Sequence, residues 1–177
     1  MNKKLYRYYL VMALSFMVDS VINYYIPFNF DKSGITIIPC IGLMMFTLLN
    51  NTIGDEHSYI FATVTGLYYA VVYANSLLIY VLLYCLYAFL GKRYTKLATF
   101  TLLEMFITVI VTIIVQEIVL YWLVWITNIT QLSIATFVVN RLLPTVVVNM
   151  FLIAPIYFIH KKLGFEGKVN AYQSKRG

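Results

Sequence analysis

Four side chains that carry charge or strong hydrogen-bonding groups stand inside apolar stretches of this sequence. They are Asp19, Glu117, Arg141 and Asn149. A carboxylate and a guanidinium that meet in an apolar environment form an ion pair, and a series of such groups can relay protons. Because a charged or amide side chain in a bilayer is costly, each of these residues indicates either function or helix packing. What they do depends on which helices position them.

Other kinds of chemistry are not indicated. The sequence has no glycine-rich phosphate loop, no histidine or cysteine cluster with metal-ligand spacing, and no Ser-His-Asp set. Cys40 and Cys85 lie in apolar runs and are interpreted as buried free thiols. We therefore predict no catalytic residue, no metal and no cofactor, in a protein that is not an enzyme.

The composition is typical of a membrane protein with several spans. Hydrophobic residues make up 62% of the 177 residues and charged residues only 11%, whereas soluble domains have about 25% charged residues. The formal net charge of +6 does not indicate nucleic-acid binding, because the basic residues fall between apolar segments rather than on one folded face. They are interpreted as topology signals.

The apolar segments predict an all-α bundle of six transmembrane helices. The first segment is not a cleaved signal peptide, because it contains Asp19 and is too long. Residues 58–90 are too long for one crossing and are divided at Ala74-Asn75-Ser76, with one long tilted helix as the alternative. Residues 1–162 are predicted to form a single transmembrane domain, and residues 163–177 a polar cytoplasmic tail. The six predicted spans are residues 6–26, 35–49, 58–73, 76–90, 97–126 and 133–160.

The distribution of positive charge predicts how the chain is inserted. Eleven of the 13 Lys and Arg residues fall at the N-terminus, in the loop around residues 92–96, or after residue 160. The loops of the opposite side carry Lys32 alone. Because cytoplasmic loops are enriched in Lys and Arg, both termini are predicted to be cytoplasmic.

Glu117 and Arg141 are predicted to lie at the same depth. Arg141 is 19 residues before His160, which is about 28 Å along a helix. Glu117 is 20 residues after Leu97, which is about 30 Å. Since a short turn joins the fifth and sixth spans, we predict that the two side chains face each other as an ion pair or share water. The alternative is that each extends separately to the outer headgroups.

Asp19 and Asn149 are predicted near mid-membrane, at about 18 Å and about 16 Å along their spans. Each needs a polar partner there. Candidate partners on the spans are Thr63, Thr65 and Asn23. Glu104, at about 10 Å, is expected to reach the basic loop that contains Lys92, Arg93 and Lys96. A proton relay would use such residues, but one carboxylate per helix at scattered depths is more typical of packing.

Two prolines and one glycine indicate how the helices pack. Pro144 and Pro155 lack an amide donor, so they predict bends in the sixth span and freed carbonyls at Asn140 and Phe151. Such carbonyls need neighbours, which predicts that the sixth span lies inside the bundle. Gly66 predicts the close approach of another helix.

The last span combines a polar residue, a proline, an asparagine five residues after it and a basic stop. These positions are Asn140 or Arg141, Pro144, Asn149 and Lys161-Lys162. Together with the Gly66-Leu67 step that opens an aromatic-rich double span, this pattern resembles the MreD family of the bacterial rod-shape (elongation) machinery. The family often has an acidic residue shortly after the glycine-leucine step. This sequence has Ala70 there, so no role is assigned to that position.

The resemblance implies a non-enzymatic partner of MreC in the bacterial plasma membrane. By this resemblance it is expected to act with the RodA glycosyltransferase and a class B penicillin-binding transpeptidase to direct peptidoglycan synthesis. The resemblance also implies a six-helix fold similar to the substrate-binding subunit of energy-coupling-factor transporters. That similarity supplies an alternative, a vitamin-type substrate-binding subunit, which would need a roomy polar pocket and long external loops. The predicted external loops are short.

We expect the single membrane helix of MreC to bind an apolar groove beside the sixth or the first span. Shape and small residues would provide the affinity, because hydrophobicity alone does not drive helices together in lipid. A homodimer is left open. The candidate structural or partner-binding residues are Asp19, Gly66, Glu117, Arg141, Pro144, Asn149 and Pro155.

Overall fold

The computed structural model describes residues 3–25, 34–73, 77–94 and 101–165, which form six helices and no strand. The all-helical prediction is confirmed for these residues. The last helix contains a π-helical turn at Val138–Leu142. The helices are α1 (Lys3–Tyr25), α2 (Ile41–Thr52), α3 (Asp55–Tyr73), α4 (Leu77–Tyr94), α5 (Leu102–Ile126) and α6 (Ile134–Lys162).

Helix α2 is the centre of the bundle. It contacts each of the other five helices, and nine of its 12 residues are buried. Burial on all sides explains why the helix has no polar face, since a helix that is apolar all round belongs in the interior. The other helices surround α2, and each has large apolar side chains exposed on its outer face.

The start of α2 differs from the predicted second span, residues 35–49. The helix begins at Ile41, and residues 35–40 form an extended segment. Pro39 cannot donate a backbone hydrogen bond, and other amides of this segment bond to a neighbouring helix, as described below. The predicted helical start at residue 35 is therefore too early.

Helices α3 and α4 lie against each other at Gly66. A Cβ atom added to Gly66 would lie 2.9 Å from the Val81 Cα and 3.0 Å from the Tyr80 carbonyl oxygen. In one continuous helix, residues 66 and 81 would be about 22 Å apart. The division of residues 58–90 into two helices is therefore confirmed, while the turn predicted at residues 74–76 lies outside the described residues.

We expect Gly66→Ala to lower the free energy of unfolding by about 1–3 kcal/mol, because the new methyl group meets the backbone of α4 rather than a side chain that can move. Thermal unfolding in detergent measures the effect. The matched control is Gly34→Ala, since an added Cβ at Gly34 meets nothing within 4 Å. Equal unfolding midpoints for the two variants would contradict the prediction.

Helices α5 and α6, of 25 and 29 residues, are long and apolar enough to cross a membrane by length and composition. Helix α5 begins with a capping box, in which the Thr101 side chain accepts from the Glu104 N–H and the Glu104 carboxylate accepts from the Thr101 N–H at 3.0 Å. Glu104 therefore caps its own helix, in the first turn rather than 10 Å deep. Of the basic residues that Glu104 was expected to reach, Lys92 donates from Nζ to the Ile53 carbonyl. The side chains of Arg93 and Lys96 lie outside the described residues.

The beginning of α1 meets the end of α6. Arg7 Nη2 donates to the Leu163 carbonyl at 3.3 Å, and the guanidinium lies 5.4 Å from the Phe165 ring centroid. Tyr8 packs on the same ring at a centroid distance of 4.6 Å. A cation at the C-terminal end of a helix bonds carbonyls that have no intrahelical partner. The first and last helices of the described bundle are thus joined at one end.

Candidate functional site

Asn149 holds the extended segment, residues 35–40, against α6. Its Oδ1 accepts from the Cys40 N–H at 2.9 Å, and its Nδ2 donates to the Ile38 carbonyl at 2.7 Å. Nδ2 also donates to the Thr145 carbonyl one turn earlier at 2.8 Å. An amide side chain offers both a donor and an acceptor. One fully buried asparagine therefore pairs with both an amide and a carbonyl of an extended backbone.

The extended segment makes two further bonds along α6. The Ile38 N–H donates to Thr145 Oγ1 at 3.3 Å, and the Thr36 N–H donates to the Asn140 carbonyl at 2.8 Å. Pro144 frees that carbonyl, because its ring nitrogen carries no hydrogen to donate four residues back. The extended segment therefore supplies a donor for the carbonyl that Pro144 leaves without its helical partner. In an apolar environment such a backbone group must be bonded by another part of the protein. The bends expected at the two prolines remain predictions.

Asp19 caps the N-terminus of α2. Its Oδ1 accepts from the Ile41 N–H at 2.9 Å, and its Oδ2 accepts from the Gly42 N–H at 2.6 Å. The first amides of a helix have no intrahelical partner, and the helix dipole favours a negative charge there. A Cβ atom at Gly42 would lie 2.8 Å from Asp19 Oδ2. Glycine thus makes room for the carboxylate.

The expected partners of Asp19 were side chains, and the observed partners are backbone amides. The Thr63 hydroxyl donates instead to the Tyr59 carbonyl of its own helix at 2.9 Å. The same holds for Asn149, which bonds backbone groups throughout. From the sequence we predicted that both residues lie inside the bundle. We did not predict that Asn149 bonds an extended segment, or that Asp19 bonds the start of the helix that follows it.

The predicted ion pair between Glu117 and Arg141 is confirmed. Arg141 Nε donates to Glu117 Oε2 at 2.6 Å, and the two side chains are only 5% and 1% exposed. The alternative, in which each side chain extends to the outer headgroups, is excluded because both are buried. Arg141 belongs to the π-helical turn Val138–Leu142 and is its buried residue. Such turns often occur at functional positions in helices.

These contacts are neighbours in space. The Cys40 N–H donates to Asn149 and the N–H of the next residue, Ile41, donates to Asp19. Arg141 directly follows Asn140, whose carbonyl accepts from Thr36 of the same extended segment. We call the set the polar cluster, and each of its members is at most 8% exposed. Its members are Asp19, Glu117, Arg141, Thr145 and Asn149. The other predicted site residues lie outside the cluster. Pro144 precedes Thr145 on α6, Gly66 is the residue of α3 that contacts α4, and Pro155 is exposed on α6.

A cavity of about 40 Å³ adjoins the cluster, and its polar lining includes Asp19, Asn23 and Gln116. Its volume suits a few water molecules, whereas small-molecule sites occupy about 300–1,000 Å³. Neither Glu117 nor Arg141 lines it. The cavity therefore gives no support to a vitamin-type binding site. Within the part of the chain that the structure describes, no group of three or more His, Cys, Asp or Glu residues could hold a metal ion.

The geometry favours packing over proton relay. Asp19 is bonded to two backbone amides, and Glu117 is bonded to Arg141. Groups held in this way fix the positions of α1, α2, α5 and α6 relative to one another. Sequence reasoning missed the extended segment, although Pro39 inside a predicted span was a signal that the backbone there is not a regular helix.

Two helices that are long and apolar enough to cross a membrane, in a bundle with large apolar side chains exposed on its outer faces, are consistent with the class of integral membrane proteins. The comparison with protein families then identifies the particular family. The family model described as rod shape-determining protein MreD matches residues 4–164. The chain belongs to the MreD family, a family of membrane proteins that are structural components in the determination of rod shape.

Two further comparisons give no match, one with curated proteins and one with solved structures. The predicted similarity to the substrate-binding subunit of energy-coupling-factor transporters therefore stays a prediction, and the family match does not support a transporter. Ala70 of α3 is fully buried.

Proposed function

We propose that this protein is a non-enzymatic membrane component of the bacterial elongation complex that binds an MreC-like protein and helps to regulate peptidoglycan synthesis. The observation that carries the proposal is the family match over residues 4–164. Through the complex, the protein acts with RodA and a class B penicillin-binding protein. No step of the proposal requires catalysis by this chain.

The proposed topology has six crossings with both termini in the cytoplasm. The junction of Arg7 with Leu163 supports it, because it joins the start of α1 to the end of α6. The exposed Lys161 and Lys162 lie at the same end, where cytoplasmic positive charge is expected. The second crossing is unusual, since the 12 residues of α2 extend only about 18 Å. The six residues of the extended segment add at most about 20 Å, at about 3.3 Å per fully extended residue.

The bonding of the polar cluster supports a scaffold rather than a carrier. Its hydrogen bonds and its ion pair lie inside the bundle, and they connect helices to one another. The outer faces carry large apolar side chains, such as Leu82 at 68% exposure and Phe151 at 77% exposure. A rigid bundle with such faces can bind a partner's membrane helix by shape, as helices do in lipid.

Co-purification tests this proposal. The protein and the MreC-like protein of the same organism are expressed together and extracted in mild detergent, with the affinity tag on this chain. We expect the partner to elute with the tagged protein. As a control, a partner whose membrane helix is replaced by an unrelated apolar helix should not elute with the tagged protein. Failure of the natural partner to elute, with both proteins well expressed, would contradict the proposal.

A further inference from the structure

Pro155 frees a backbone carbonyl on the exposed side of α6. Its ring nitrogen has no hydrogen, so the Phe151 carbonyl loses the regular helical donor four residues on. Phe151 is 77% exposed, and Pro155 is also exposed. Residues four apart lie on one helix face, so the freed carbonyl points to the same apolar surface as these two side chains.

The two prolines of α6 differ in what their freed carbonyls contact. The Asn140 carbonyl, freed by Pro144, accepts from the Thr36 N–H at 2.8 Å. For the Phe151 carbonyl, no donor from outside α6 lies within hydrogen-bond distance among residues 3–25, 34–73, 77–94 and 101–165. Another segment of the described bundle bonds the first acceptor, and none bonds the second.

The second acceptor lies deep in the membrane. Phe151 is 10 residues before Lys161, which is about 15 Å along the helix and near the bilayer centre. Lipid chains have no hydrogen-bond donors, and water is excluded at this depth. A donor for this carbonyl must therefore come from protein. Serine and threonine hydroxyls and neighbouring helices are among the groups that bond freed carbonyls in membranes.

We propose that this surface of α6 binds the membrane helix of the partner, and that a serine or threonine hydroxyl of that helix donates to the Phe151 carbonyl. We call it the Pro155 face. Its members follow the helical repeat and are Val147, Phe151, Pro155 and Phe158, and the three other than the proline are 49–77% exposed. The inference rests on the proposed function and specifies where the partner binds.

The first test is Pro155→Ala, which restores the amide donor inside α6 and removes the free acceptor. Titration of the labelled partner in nanodiscs should show affinity reduced about five- to thirtyfold, the effect of one interhelical hydrogen bond in a membrane. The thermal midpoint of the variant alone should stay the same or rise, since a helix gains a bond. A fall in the midpoint together with unchanged affinity would overturn the inference.

The second test locates the contact without relying on affinity. A photoreactive benzoylphenylalanine is placed at position 151, and at position 89 as a matched control, because Phe89 is a 48% exposed phenylalanine on α4. We expect adducts with the partner at position 151 and none at position 89. Adducts between two copies of this chain at position 151 would overturn the inference.

The two proposals fail in different ways. If the wild-type chain binds the partner but Pro155→Ala binds equally well and position 151 gives no adduct, only the Pro155 face is wrong. If the wild-type chain binds no partner, the proposed function and this inference are both wrong.

Discussion

Arg141→Ala is expected to lower the free energy of unfolding by about 3–5 kcal/mol, because it leaves the carboxylate of Glu117 buried without its counter-charge. Glu117 is fully buried, and its Oε2 accepts from Arg141 Nε at 2.6 Å. The measurement is denaturant unfolding in mixed micelles, followed by circular dichroism. The control is Lys162→Ala, an exposed cation at the end of the same helix, which should change stability by less than about 0.5 kcal/mol.

A double variant separates the ion pair from simple loss of packing. If the penalty arises from an uncompensated charge, Glu117→Gln should recover part of the stability lost in Arg141→Ala, because a neutral amide costs less to bury than a carboxylate. A coupling energy of about 1–3 kcal/mol between the two positions is expected for residues in direct contact. Additive effects of the two substitutions would contradict the existence of a coupled pair.

The ion pair was predictable from the sequence because a helix advances by a constant rise per residue. Counting from the basic ends of two spans placed Glu117 and Arg141 at matching depths. The short turn between the spans made the two helices neighbours. That reasoning used only helix geometry and chain connectivity.

The extended segment was not predictable in the same way. Hydropathy reports that residues 35–49 are apolar, but an apolar extended strand and an apolar helix have the same hydropathy. What distinguishes them is whether other parts of the chain satisfy the backbone of the segment. Asn149 and Asp19 do so here, and both are distant in sequence. Pro39 signals that the segment is not a regular helix, but a pattern within one segment cannot show which distant side chains bond its backbone.

Glu104 illustrates a smaller error with a related cause. The predicted fifth span began at residue 97, so Glu104 was assigned to the membrane interior, whereas α5 begins at Leu102 with Glu104 in its first turn. The capping box Thr101-x-x-Glu104 is a recognised start signal for a helix. Residues 97–100, directly before the capping box, are mostly apolar. A span predicted from hydropathy starts at the first apolar residue of a run, so it started before the capping box.

The polar cluster therefore has two parts with different roles. The ion pair connects α5 to α6, and Asn149 with Asp19 positions the extended segment and the start of α2. Because α2 contacts every other helix, displacement of its start should affect the whole bundle. The second part of the cluster is therefore expected to control the fold more broadly than the first.

Asn149→Ala is expected to lower the free energy of unfolding by about 2–6 kcal/mol, because the Cys40 N–H and the Ile38 carbonyl each lose a buried partner at about 1–3 kcal/mol. Thr127→Ala, which removes a hydroxyl bonded only within its own helix end, is the control and should be nearly neutral. Both variants are compared by the same micelle unfolding measurement.

The position of the extended segment can be read directly at Cys40. The chain has two cysteines, so a Cys85→Ala background leaves Cys40 as the single thiol, and its side chain is 4% exposed. In that background Cys40 should react slowly with N-ethylmaleimide, and Asn149→Ala should raise the rate severalfold because local opening exposes the thiol. Arg141→Ala should raise it less, since the bonds of Asn149 remain. Equal rates with and without Asn149 would mean that packing of α2, rather than this one amide, holds the segment in place.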